Sequence, residues 1–164
     1  MKRALVFIAA LAAAGCSSVH SAAKVAEDNK ATAQKFLERA NKGDLKVIDE
    51  TFDPAFVDHE AVPGVPPTRE GVKQIFAMML KGFPDMKINV LHLVAEGDYV
   101  LIHHQTTGTH KGEFMGMPPT GKAVKFDEMH LVRFANGKLI EHWGVEDTMT
   151  MMQQLGLAPA PDKK

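Results

Sequence analysis

The sequence predicts an α+β domain, and three observations carry that prediction. Apolar stripes with helical spacing are confined to the first half of the chain. Strand-like runs fill the second half, and Asn136-Gly137 stands between two of them as a strong hairpin signal. Helices packed on one side of a curved antiparallel sheet are what such segregation produces. At 164 residues the chain has room for one packed domain and a leader, and 45% hydrophobic with 24% charged residues is ordinary for a globular protein.

The leader comes first. Met1-Lys2-Arg3 is a basic start, and the apolar run over residues 4–14 is too short to remain in a membrane, so residues 1–15 read as a signal peptide. Cys16, the only cysteine, closes Ala13-Ala14-Gly15-Cys16, which resembles a bacterial lipobox with Ala13 where Leu is usual. In such a box the cysteine is lipidated and becomes the first mature residue. Cleavage after Ser21-Ala22-Ala23 is the alternative, and it would discard Cys16. Ser17 and Ser18 lack the aspartate that retains lipoproteins in the inner membrane, so the resemblance implies the periplasmic face of the outer membrane. A soluble periplasmic or secreted protein is the other outcome. Membrane contact is expected through the lipid anchor only. The chain carries 19 basic and 20 acidic residues with no basic cluster, which argues against a nucleic-acid partner.

Residues 16–28 read as a small-residue tether, 29–156 as the domain and 157–164 as a frayed, disordered tail. The domain opens with a helix carrying Ala33, Phe36, Leu37 and Ala40 on one stripe and stopped by Gly43. Asp44 can cap a short second helix through Leu45 and Ile48. Phe56-Val57-Asp58-His59 is a short extended piece before a Pro-rich stretch. Thr68 caps a third helix with Val72, Ile75, Phe76 and Met79 inward and Gly82 at its end. Four strands follow: 87–95 and 99–109 around Glu96-Gly97-Asp98, then 123–134 and 138–147 around Asn136-Gly137. A last helix over 148–155 ends at Gly156. Between the hairpins, residues 108–122 hold too much Gly and Pro for a strand. An ordered loop of that length serves as a lid or binding loop, and His110 stands at its start.

Regular pairing about Asn136-Gly137 puts Phe134 opposite Leu139, Val132 opposite Glu141, His130 opposite Trp143, Glu128 opposite Val145 and Phe126 opposite Asp147. With a period of two, all ten share one face. That face is apolar except for Glu128, His130, Glu141 and Asp147, the general description of a small-molecule pocket. A carboxylate there loses hydration, which raises its pKa and makes it a better proton acceptor. The opposite face, with Lys125, Asp127, Arg133, His142 and Glu146, suits solvent or a subunit contact. A β-bulge would shift this register. In the other hairpin His92 and His103 are neighbours that can point into the same cavity, and His104 goes to the opposite face.

Phe83-Pro84-Asp85, Glu96-Gly97-Asp98, Gly108-Thr109-His110, Pro119-Thr120-Gly121-Lys122, and Glu141-His142-Trp143 through Asp147 to Gln154-Leu155-Gly156 follow one another in an order that resembles the SnoaL-like polyketide cyclases, or ester cyclases. The resemblance covers about residues 29–156, nearly the whole mature chain. It implies a nuclear transport factor 2-like cone, with a curved sheet and N-terminal helices enclosing a deep pocket. It also implies catalysis without a cofactor. An aspartate takes an α-proton flanked by two carbonyls, and the enolate attacks a carbonyl of the same molecule. So acidic a proton needs no metal. Asp147 is the matching position. A homodimer or higher homo-oligomer through the outer sheet face is implied likewise. The chain departs from the family at His103, where many relatives have Arg, and at His104, where they have an aromatic.

On this reading Asp147 is the catalytic base and His130 tunes or relays the proton. His59, His103, His110, Glu128 and Trp143 contact the substrate, a small apolar carbonyl compound. Plainer readings stand beside these. Asp147 can be an N-cap, His130 a core histidine satisfied by hydrogen bonds, and His110 a loop anchor. Asp58-His59-Glu60 resembles a metal cluster, but neighbours along a strand point to opposite faces, so no metal site is expected. The alternatives to an enzyme are a non-catalytic periplasmic lipoprotein holding a small ligand and a structural lipoprotein whose pocket is filled by its own side chains.

Overall fold

Two hairpins and one added strand build the sheet on which the site rests. The computed structural model describes residues 11–60 and 62–159. Its elements run α1 (Leu11–Ala40), α2 (Lys46–Thr51), β1 (Phe52–Asp58), α3 (Arg69–Gly82), β2 (Lys87–Glu96), β3 (Tyr99–Thr109), β4 (Ala123–Ala135), β5 (Lys138–Glu146) and α4 (Thr148–Leu155). The sheet order is β1-β5-β4-β3-β2. Strands β2 to β5 pair antiparallel as expected, while β1 joins β5 in parallel. The extended piece seen at Phe56 is thus the end of a full strand.

Residues 1–10 of the expected leader and 160–164 of the expected tail lie outside the described residues. The segment read as a tether is helical, because α1 begins at Leu11 and passes through Cys16. Its Ala-rich composition favours helix over coil. Among the described residues no helix is long and apolar enough to cross a membrane. The helix signals act mostly as read. The Thr68 side chain accepts from the Gly71 amide at the start of α3, and Gly156 closes α4 in the left-handed conformation. Asp44 does not cap α2; the cap position falls on Leu45, and Asp44 accepts from Arg39 Nε at 2.8 Å. A charge-assisted bond to a guanidinium outcompetes one to a backbone amide.

The core lies between the concave sheet face and the helices. Phe36 and Leu37 of α1, Val72 of α3, Phe52 and Phe56 of β1, and Ile102, Phe126 and Val132 of the sheet are all buried there. The convex face, which the sequence reading leaves to solvent or a subunit contact, exposes Val94, Leu101, Met129 and Val145.

One irregularity decides what the concave face carries. Asn136 and Gly137 both have positive φ, 51° and 73°, which is the two-residue hairpin turn with the twist of its strands. Ala135 pairs with Lys138 and Phe134 with Leu139 as expected, but the next pair is Arg133 with Glu141. Ile140 is therefore the extra residue of a β-bulge, and every later side chain of β5 changes face. Val132 now opposes His142, His130 opposes Gly144, and Glu128 opposes Glu146. A second shift, between Val90 and His92 in β2, sets His92 opposite His103.

Candidate active site

A cavity of about 510 Å³ opens between the concave face and α1, α3 and α4. That size suits a small organic molecule. Its walls are apolar, with Phe36, Phe56, Phe76, Ile102, Phe126 and Met151 among them. Asp58, Glu60, His104, Glu128, His130, His142 and Glu146 converge on one side. Pro63, Met115, Glu146 and Thr148 are the exposed lining residues and mark the mouth.

The polar side is a connected chain. His142 Nδ1 lies 2.9 Å from Asp58 Oδ1, and His142 Nε2 lies 2.8 Å from His130 Nδ1. A carboxylate can only accept, so His142 donates from Nδ1 and its Nε2 accepts from His130 Nδ1. His130 Nε2 then faces Glu128 Oε2 at 3.5 Å. The Glu60 amide donates a further bond to Asp58 Oδ1 at 3.0 Å.

Titration follows from this wiring. Burial works against ionised Asp58, but its bonds from His142 and the Glu60 amide outweigh it and hold the carboxyl below its ordinary range. Burial likewise opposes charge on Glu128 and His130. Their mutual contact prevails, so Glu128 falls and His130 rises. Burial pushes His104 down to about 4, against the pull of Glu128, so its ring is neutral. Burial also raises Glu60. Glu146 is pushed up to about 7 by its protein surroundings and by the charges of Glu128 and Glu60. Its side chain is nonetheless open to solvent on the mouth side, which moderates that effect. Glu146 makes no side-chain hydrogen bond or ion pair among the described residues.

Gly144 makes room for the cluster. A Cβ at this position would stand 1.8 Å from Glu60 Oε2 and 2.7 Å from His130 Nδ1. The Glu60 carboxylate thus fills the space that a side chain on β5 would take. Gly144→Ala is expected to fold with a lowered Tm, at a cost of about 1–3 kcal/mol from overpacking. Thermal denaturation checks this, and an unchanged Tm would mean that Glu60 does not occupy the space.

The residues expected from sequence divide. His130 and Glu128 line the cavity. Asp147 does not; it caps α4 by accepting from the Thr150 amide at 3.0 Å, and the bonds from Thr150 hold its carboxyl below the ordinary range. Trp143 also leaves the cavity. It stacks on His59 with ring centroids 4.5 Å apart, and His59 Nε2 lies 3.3 Å from Glu141 Oε1. The bulge at Ile140 is the physical reason for both displacements. His103 faces outward, its Nδ1 3.0 Å from His92 Nδ1, because His104 takes the concave side of β3. His110 is wholly buried but anchors the loop instead of lining the cavity. It stacks on Phe83, its Nδ1 accepts from the Thr120 amide, and its backbone bonds Lys122 and Gly121. The loop reaches the cavity through Phe114 and Met115.

Asp58, Glu60, His104, His142 and Glu146 are the cavity groups that sequence reasoning did not select. Gly144 was the available signal, since a glycine inside a strand marks a bulge or a close approach. Among the described residues, two groups have donor atoms close enough to share a metal ion: Glu60 with His130 and His142, and His104 with Glu128 and His130.

Comparison with known proteins follows the same outline. The SnoaL-like polyketide cyclase profile matches residues 31–155. The nogalonic acid methyl ester cyclase of Streptomyces nogalater is 25% identical over 124 residues, 74% of this chain and 92% of that protein. Among solved structures, IdmH of Streptomyces antibioticus, a candidate polyketide cyclase, superposes with a TM-score of 0.69 at 35% identity, covering 78% of this chain and 98% of its own. AclR of Streptomyces galilaeus, a candidate hydroxylase, gives 0.75 at 31% identity over 84% of this chain and 87% of its own. With such neighbours the chain shares the nuclear transport factor 2-like cone expected from its sequence.

Proposed function

The chain belongs to the SnoaL-like polyketide cyclase family, and from that premise we propose that it closes a ring in a small apolar carbonyl compound by acid/base catalysis at the concave face. The observation that carries this reading is the hydrogen-bonded line of Asp58, His142, His130 and Glu128 in an apolar cavity whose mouth holds an unengaged carboxylate, Glu146. Glu146 takes the α-proton, since among the described residues no side chain engages its oxygens and its pKa lies near neutrality. The enolate attacks a carbonyl carbon of the same molecule, so a C–H bond breaks and a C–C bond forms. His130 gives the new alkoxide its proton; the bond to Glu128 is long enough to yield, and His142 backed by Asp58 keeps the ring oriented. Glu146 then releases its proton to solvent at the mouth and His130 regains one from solvent through the emptied cavity, so the enzyme is restored and the product is an isomer of the substrate.

The activity named for the Streptomyces nogalater relative supports a polyketide methyl ester as the substrate class. The phenylalanine-rich walls suit a flat ring system. Incubation with nogalonic acid methyl ester, followed by chromatography and mass spectrometry, tests the reading. A new compound of unchanged mass supports ring closure. A product heavier by one oxygen would replace it with hydroxylation, and an unreacted ligand held through native mass spectrometry would favour a carrier.

We propose in addition that Cys16 is the lipid anchor, supported by its lipobox-like setting. Cys16→Ser is expected to move the protein from the membrane to the soluble fraction on cell fractionation. Retention in the membrane fraction would contradict it.

A further inference from the structure

We propose that His104, Glu128 and His130 form a binding site for a divalent metal cation of the zinc type. His104 and Glu128 are direct cross-strand partners on β3 and β4, and His130 follows on the same face two residues later. Two atoms among them are orphans. His104 Nδ1 and Glu128 Oε1 are buried without any hydrogen-bond partner, and they face each other at 3.6 Å. The residues carrying them are only 4% and 9% exposed. A buried polar atom left without a partner is costly, so two side by side mark the place of something that belongs between them.

The third donor is His130 Nε2, 3.5 Å from Glu128 Oε2, and the three donor atoms lie within 4.8 Å of one another. Ligands held about 2.1 Å from a tetrahedral ion stand about 3.4 Å apart. From a spread of up to 4.8 Å the donors would draw in by about 1 Å to close on an ion. The surroundings also fit. The Nδ1 of His130 donates to His142, which donates to Asp58, an outer relay ending in a carboxylate that fixes the tautomer and aims Nε2 inward. Two imidazoles and one carboxylate suit zinc-type ions better than calcium or magnesium, which take oxygen ligands. The open side of the site faces the cavity, leaving a fourth position for a substrate oxygen. Binding of the cation stands without the cyclase reading; a cation on Nε2 takes the place of the proton that His130 gives in ring closure, so in the loaded protein the cation, not His130, would act on the substrate oxygen. Neither the sequence nor the family leads one to expect a metal here.

Untagged protein, stripped with a chelator, is titrated with Zn²⁺ by calorimetry and with Co²⁺ by visible absorption. One equivalent of each ion is expected, with the ligand-field spectrum of a site of nitrogen and oxygen donors. Glu128→Gln and His104→Gln should each weaken binding by about 100-fold or more, and Asp58→Asn by about 10–100-fold as an outer partner. His103→Gln removes the exposed pair with His92 and should change nothing. Circular dichroism confirms that each variant is folded, and the Co²⁺ spectrum of the unaltered protein decides the matter if Glu128→Gln is not. Absence of binding, or binding kept by Glu128→Gln and lost by His103→Gln, would overturn the proposal. Neither readout involves substrate, so a failure here leaves the ring-closure reading intact.

Discussion

Glu146→Gln is expected to lower kcat for ring closure by about 10²- to 10⁴-fold, the range for loss of a general base, with KM little changed. Asp147→Asn, one residue further on, is expected to leave both turnover and Tm where they are, because Asn caps a helix as well as Asp does. The contrast follows from one inserted residue. With Ile140 bulged, Glu146 faces the cavity and Asp147 serves α4. Without the bulge the two would exchange places. The pH profile has a definite shape. Glu146 must be ionised to accept a proton and His130 protonated to give one, so kcat/KM should rise with pH through about 7 and fall again where His130, whose pKa the contact with Glu128 raises, loses its proton. Folding has the opposite slope to the rising limb. The folded pKa exceeds the ordinary value of about 4.3, so the native state holds the extra proton between the two values. Stability from this group therefore declines as pH rises towards 7, by a small amount because the carboxyl is solvent-exposed. Steady-state kinetics of the two variants checks the assignment. A silent Glu146→Gln beside an inactive Asp147→Asn would reinstate the unbulged register.

His130→Leu should cost about 3–5 kcal/mol of stability, the penalty for breaking a buried charge pair from one side, and should abolish turnover. Its loss leaves the Glu128 carboxylate in an apolar wall without its main counter-charge. Glu128→Leu should be similarly damaging. The double variant His130→Leu/Glu128→Leu should recover much of the loss, since it removes both charges and fills the space with hydrocarbon. Urea denaturation of the three variants closes the cycle. Simple additivity of the two single losses would show that the pair is not coupled.

Much of the fold could be read from local chemistry. The stripe of Ala33, Phe36, Leu37 and Ala40, the Thr68 cap and the Asn136-Gly137 turn all act within a few residues, where pattern and structure are tightly linked. The site was legible only as far as regular alternation held. Glu128 and His130 lie on β4 and kept their faces. His142 and Glu146 lie beyond Ile140, where an insertion inverts the pattern without changing composition. Trp143 and Asp147 were misplaced for the same reason. His104 was assigned correctly to the face opposite His103, but which face is concave depends on the helices that pack against the sheet. Asp58 and Glu60 join through the parallel pairing of β1 with β5, a contact between residues 84 positions apart at His142 and Asp58 that no local rule encodes.

The central claim is that proton transfer from carbon occurs at the inward face of β5, at Glu146. Its most direct test is deuterium exchange at the α-carbon of a 1,3-dicarbonyl compound that binds the cavity but cannot cyclise, followed by NMR in D₂O. The intact protein should accelerate exchange well above the solution rate, Asp147→Asn should match it, and Glu146→Gln should fall back to the rate without protein. Exchange no faster than in solution, or exchange that persists in Glu146→Gln, would contradict the account.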